Sequence, residues 1–120
     1  MIRIARVYEE SGGGNGTRYL VERLWPRGVK KDVLQLDGWL KDVAPTDALR
    51  RWFGHKPERW TEFQHRYLAE LRANPAAWKP ILEAAQHGNV TLLYSARDAE
   101  HNNALALQRF LTSKLSRDAA

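Results

Sequence analysis

Two short stretches hold the residue types that can do chemistry. The first is Glu22-Arg23-Leu24-Trp25-Pro26-Arg27-Gly28. Arg23 and Arg27 bring two planar guanidinium forks, which grip a phosphate or carboxylate through paired N–H groups. Trp25 between them offers a face on which a base can stack. The second stretch runs from Tyr94 through Ser95, Ala96, Arg97, Asp98, Ala99, Glu100, His101, Asn102 and Asn103 to Ala104. Ser95 or Asp98 can cap a helix there, placing His101, Asn102 and Asn103 in or near its first turn. Free backbone N–H groups and the helix dipole make such a turn attract anions. The same dipole disfavours a protonated imidazole, and a neutral histidine can give or take a proton. His101 is therefore the catalytic candidate. Arg23, Trp25, Arg27, Tyr94, Asp98, Asn102 and Asn103 are the candidate ligand-binding residues. Each cluster also has a structural alternative. Arg23 can pair with a local carboxylate, Trp25 can fill the core, and Asp98 can simply cap a helix. Consecutive His-Asn-Asn is poor helix filler, which favours a site.

Several chemistries are excluded. The 120 residues include no cysteine, so disulfides, thiol nucleophiles and thiolate zinc sites are ruled out. No H-E-x-x-H or G-x-S-x-G occurs. The turn Ser11-Gly12-Gly13-Gly14-Asn15-Gly16 lacks the Lys-Ser/Thr ending of a P-loop, and Thr17 breaks a G-x-G-x-x-G spacing. Glu62-x-x-His65 has half the pattern of a di-iron carboxylate site, with no second copy to complete it. No metal site is expected, and no cofactor is indicated. Trp52-Phe53-Gly54-His55-Lys56-Pro57 reads as a helix–helix turn with a core Trp, or as the floor of a pocket.

The elements that must position these residues follow from periodicity. Ile2 to Tyr8 and Arg18 to Leu24 read as strands. Pro26 and Gly28 force the chain out of the second. Nine residues, 9–17, join the two, short for a parallel crossover, so their relative direction stays open. The middle is helical. Trp39, Leu40 and Val43 share one face, and Pro45 stops that segment. Thr46 or Asp47 caps the next, which carries Leu49, Trp52 and Phe53. Pro57 opens a longer helix with Trp60, Phe63, Tyr67 and Leu71, broken at Asn74-Pro75. Trp78, Ile81, Leu82 and Ala85 form another stripe, closed by Gly88. Val90 to Tyr94 is a short buried strand, and Ala104, Leu107, Leu111 and Leu115 line a last helix. The expected fold is α/β, one domain over residues 1–120, with a small sheet packed by helices.

The net charge is +5, and residues 1–60 hold 12 basic against 8 acidic side chains. That bias draws nucleotides, phosphates or nucleic acid. The N-terminus Met1-Ile2-Arg3-Ile4 shows no secretory leader, and no apolar run nears a membrane span. A cytoplasmic protein is expected, its oligomeric state unspecified.

The run Leu20-Val21-Glu22-Arg23-Leu24-Trp25-Pro26-Arg27-Gly28-Val29 resembles the signature of the YeaO-like proteins. These are a branch of the bacterial and archaeal domain of unknown function family 488. Leu36 to Lys41, Leu49 to His55, and Val90 through Ala104 resemble further blocks of the same family, in order along nearly the whole chain. The resemblance implies a compact α/β domain and no agreed activity. Other branches carry a Cys-His-Arg triplet at the start of the last helix and an Asp-x-Arg stretch after an earlier strand. Glu100-His101-Asn102-Asn103 and Glu22-Arg23 stand in those places here. The comparison implies a lost catalytic group and a retained capacity to bind.

Two functional expectations follow. The first is a small anionic ligand, a nucleotide or phosphorylated metabolite, held between the Arg23–Gly28 turn and the Asp98–Asn103 loop. The second is a non-catalytic nucleic-acid-binding module or DNA-associated regulator. An interaction subunit is the residual reading.

Overall fold

Five consecutive residues, Val90–Tyr94, are all buried and form strand β4. Such an uninterrupted buried run belongs in the middle of a parallel sheet covered on both faces. The computed structural model, which describes residues 1–9 and 16–119, places it there. The sheet order is β1-β4-β2-β3, with β1 at Ile2–Arg6, β2 at Thr17–Leu20 and β3 at Gly38–Trp39. Every pairing is parallel. Leu92 lies opposite Ile4 on one side and Tyr19 on the other. The first two strands thus form neither a hairpin nor a direct pair, because β4 separates them. The Ser11–Asn15 part of the glycine turn lies outside the described residues.

The alternation of side chains along the strands divides the core. Ile2, Val90, Leu92 and Tyr94 face one layer of helices. These are α2 (Asp47–Phe53), α3 (Trp60–Ala73), α4 (Pro75–His87) and α5 (Asn103–Ala119). Phe63 stacks on Phe53 with centroids 4.5 Å apart, and Tyr67 donates its hydroxyl to the Val43 carbonyl at 2.6 Å. Val7, Leu20 and Leu93 face the other way, onto Leu34 and the partly buried Trp25 and Trp39. Leu34 ends the short helix α1 (Lys31–Leu34). The buried Arg18 guanidinium holds that helix end, donating to the Leu34 carbonyl from both Nε and Nη2.

Local structure departs from the periodicity at several places, once because strand pairing overrides it. Trp39, Leu40 and Val43 do not share a helical face. Gly38–Trp39 pairs with Tyr19–Leu20 as β3, and Lys41–Val43 is a single 3-10 turn. The Trp39 indole donates to the Glu22 carbonyl, and Leu40 N to the Leu20 carbonyl, which fixes the segment as an edge strand. The second strand stops at Leu20 rather than Leu24. Val21 adds one bond to Leu93, and the chain then leaves the ladder. Pro57 begins a 3-10 turn, and α3 itself starts at Trp60. Thr46, not Asp47, caps α2 by accepting from Leu49 N. Gly88 follows α4 in an extended conformation, φ 168°, instead of a left-handed cap. No helix among the described residues is long and apolar enough to cross a membrane.

Candidate functional site

Parallel strands send their carboxyl ends to the same side, and that is where ligands gather in open α/β sheets. Here β1, β2 and β4 deliver Tyr8, Glu22 and Ser95 within two residues of their ends. Those residues line a cavity of about 590 Å³. The Arg23–Arg27 turn forms one wall and His101, Asn102 and Asn103 another. The α2 helix and the turn after it close the third with Arg50, Arg51, Phe53 and His55.

Glu22 lies inside this space. Its Oε1 accepts from Ser95 N at 2.7 Å and from Ser95 Oγ at 3.0 Å, tying the end of β2 to the end of β4. Oε2 has no hydrogen-bond partner among the described residues. Burial pushes the carboxyl above its ordinary range, while the two Ser95 bonds and the nearby His55 and Arg50 pull the other way. A raised carboxyl pKa means that the folded chain binds the proton more tightly than the unfolded one. Ionised Glu22 therefore lowers stability above its folded pKa, and that loss disappears as pH falls toward the unfolded value. Glu22→Gln is expected to melt higher than wild type at neutral pH. The difference should shrink as the pH approaches 4.5, the ordinary carboxyl value. Melting curves across that range check it, and a gain that grows on acidification would contradict the burial argument.

Of the expected residues, Arg23, Trp25, Arg27, His101, Asn102 and Asn103 line the cavity; Tyr94 and Asp98 do not. Several are also structural. Arg23 donates from Nε to the Pro45 carbonyl and from Nη2 to that of Ala44, pinning the loop before α2. Trp25 donates to the Val29 carbonyl and meets Trp39 edge-on at 5.3 Å. Asn103 donates to the Val21 carbonyl, joining α5 to the end of β2. Tyr94 is buried in the core, where burial raises its phenol pKa.

The start of α5 departs from the sequence expectation. Neither Ser95 nor Asp98 caps the helix. Asn102 does, accepting from Leu105 N at 2.9 Å and donating to the Asp98 carbonyl. Asp98 instead closes a tight turn ahead of it, accepting from Glu100 N and His101 N. His101 thus precedes the cap, outside the first helical turn, and the dipole argument does not reach it. Its fixed partner is Asp98, with Nδ1 2.7 Å from Oδ2. The Glu100 amide and the His101 ring hold the Asp98 carboxyl below its usual range. A carboxylate at Nδ1 keeps an N–H on that nitrogen, and Nε2 has no hydrogen-bond partner among the described residues. Trp60 packs edge-on against the ring at 5.4 Å and fixes its plane.

Sequence reasoning missed Arg50 and Arg51, put Glu22 and Ser95 in its two stretches without naming either as a site residue, and gave His55 no more than a place in a possible pocket floor. Glu22 matters through Ser95, 73 residues away, a relation no local pattern carries. His55 had a signal in its neighbour Gly54. Both adopt positive φ, 54° and 57°, in a sharp turn at the end of α2. Among the described residues, no group of three or more His, Asp or Glu could hold a metal ion.

A family model described as the inactive DUF488-N3 subclade matches residues 1–120. The chain belongs to that subclade. Similar relatives include the uncharacterized protein YeaO of Escherichia coli (strain K12), 40% identical over 112 residues, 93% of this chain and 97% of that one. Uncharacterized proteins of Mycobacterium bovis and Mycobacterium tuberculosis are each 38% identical over 113 residues, 94% of this chain and 95% of theirs. No solved structure gives a significant match. The YeaO resemblance read from the Leu20–Val29 run is thereby borne out.

Proposed function

We propose that this chain binds a small anionic ligand, a nucleotide or phosphorylated metabolite, in the cavity beyond β2 and β4. The observation that carries this reading is the charge of the lining. Four arginines, Arg23, Arg27, Arg50 and Arg51, meet one carboxylate, Glu22. Arg23 is occupied by backbone carbonyls, and Arg50 has Asp47 at 3.3 Å. Arg27 and Arg51 are exposed, and their guanidinium groups have no partner among the described residues. They are the groups for the anion, with Trp25 beside them for a base or sugar. His101 also lines the cavity, with no partner for Nε2 among the described residues, and is the proton-transfer residue of any reaction there. Binding without turnover fits the absence of cysteine and the subclade's description as inactive.

A thermal-shift screen of nucleotides, phosphorylated metabolites and short oligonucleotides at two salt concentrations tests the reading. A small anion should raise the melting temperature at both. Arg27→Ala and Arg51→Ala should each weaken that ligand by about 1.5 kcal/mol or more, the worth of a charge-assisted hydrogen bond. Unchanged affinity in both variants would remove the arginines from the site.

A second reading, a nucleic-acid-binding module, has its own observation. A groove of about 240 Å³ between α3 and α5 is lined by Arg72, Arg109, Lys114 and Arg117, with no carboxylate among the described residues. A shift with oligonucleotides alone, lost at high salt, would favour it, because phosphate contacts weaken steeply with salt.

A further inference from the structure

Glu22 is out of place in a cavity built for an anion. A carboxylate there repels a bare phosphate, and its burial costs stability. Its neighbours show what it is arranged to do. Ser95 presents two donors, the backbone N–H and the hydroxyl, and both go to Oε1. Oε2 keeps its acceptor capacity and belongs to a residue lining the cavity. An ionised carboxylate is acceptor-only, so the matching ligand group must be a donor. No described residue donates to Oε2; Asn102 and Asn103 each send an amide N–H to the carbonyls of Asp98 and Val21 instead.

We infer that the ligand carries a hydroxyl or ammonium group in addition to its anionic group, and that Glu22 Oε2 is the acceptor selecting it. The inference rests on the anionic-ligand reading and deepens it. Arg27 and Arg51 hold the charge, and Glu22 discriminates among anions by rejecting those with nothing to donate.

The geometry makes Glu22→Gln a reversal instead of a simple deletion. Ser95 N–H and O–H both require an acceptor, so the glutamine oxygen must stay at the Oε1 position. Its amide nitrogen then replaces Oε2 and turns the free acceptor into a donor. The fold keeps its Ser95 bonds while the recognition changes sign.

Calorimetric titration of wild type and Glu22→Gln with inorganic phosphate, ribose 5-phosphate and phosphoethanolamine tests this. Wild type should bind one donor-bearing phosphate at least about tenfold more tightly than inorganic phosphate, the scale of one charge-assisted hydrogen bond. Ribose 5-phosphate winning identifies a hydroxyl; phosphoethanolamine winning identifies an ammonium. Glu22→Gln should lose the preference and bind inorganic phosphate at least as well as wild type. Glu22→Asp, which keeps the charge but withdraws it by one methylene, should lose the preference without gaining for phosphate, and serves if the glutamine variant does not fold. Three equal affinities, unchanged by either variant, would overturn the role of Glu22 and leave the anion reading standing. No binding of any of the three to wild type would overturn both.

Discussion

Leu92→Ala is expected to cost about 2–5 kcal/mol of stability, the range for truncating a leucine in a packed core. Leu92 is fully buried at the centre of β4, flanked on both sides by paired strands. The sheet cannot move inward to fill the space, because β4 is held by ladders to β1 and β2 together. The cavity therefore stays open, which places the cost in the upper part of that range. Total stability for a domain of this size is about 5–15 kcal/mol, so the variant loses a large share of it. Urea unfolding should show a lower midpoint with an unchanged slope. Leu24→Ala is the control. Leu24 is 62% exposed, and its truncation should change stability by no more than about 0.5 kcal/mol. Equal losses for the two leucines would mean that the sheet is not the centre of the core.

Gly16→Ala is expected to cost roughly 2 kcal/mol or more, though it adds a single methyl group. Gly16 has φ +99°, a conformation that costs other residues about 1–2 kcal/mol. An added Cβ would also sit 2.3 Å from the Asn89 carbonyl oxygen. That oxygen cannot retreat freely, because it accepts from Thr17 N at 2.9 Å, and the next residue, Val90, donates to Met1. The strain would pass to the point where β1, β2 and β4 all begin. Gly88→Ala is the contrast. It sits in extended backbone with nothing within 4 Å of an added Cβ. There the loss of unfolded-state freedom should stabilise by about 0.4–1 kcal/mol. Chemical denaturation of the two variants side by side checks the pair. A harmless Gly16→Ala would show that β2 does not start as described.

The parts legible in the sequence were those whose cause is local. Val90–Tyr94 announced itself as a buried strand, and the stripes Phe63-Tyr67-Leu71 and Trp78-Ile81 announced α3 and α4. Thr46 was readable as a cap because the signal lies within three residues. What stayed hidden depends on distant partners. The direction of β1 and β2 was undecidable because neither pairs with the other; both pair with a strand about 70 residues or more further on. Trp39 and Leu40 carried a helical spacing that strand pairing overrode. The Arg23–Gly28 and Asp98–Asn103 segments could be named as polar strand ends, and they do line one cavity. Asn102 took the cap expected of Ser95 or Asp98, since two carboxamides and two carboxylates in six residues offer several equivalent caps. Glu22 looked like one more charged residue until Ser95 was placed against it.

The position of β4 also orders events in time. As the chain is synthesised, β2 and β3 can meet after about residue 39. Strand β1, made first, has no partner until residues 90–94 exist, and each of its pairings spans 88 residues. Contacts that close such long loops form late, because their entropy is spent before any ladder bond rewards it. The strand Ile-Arg-Ile-Ala-Arg therefore waits unpaired until β4 has been made. Its two arginines guard that wait, since charged side chains on an unpaired strand discourage it from joining another chain.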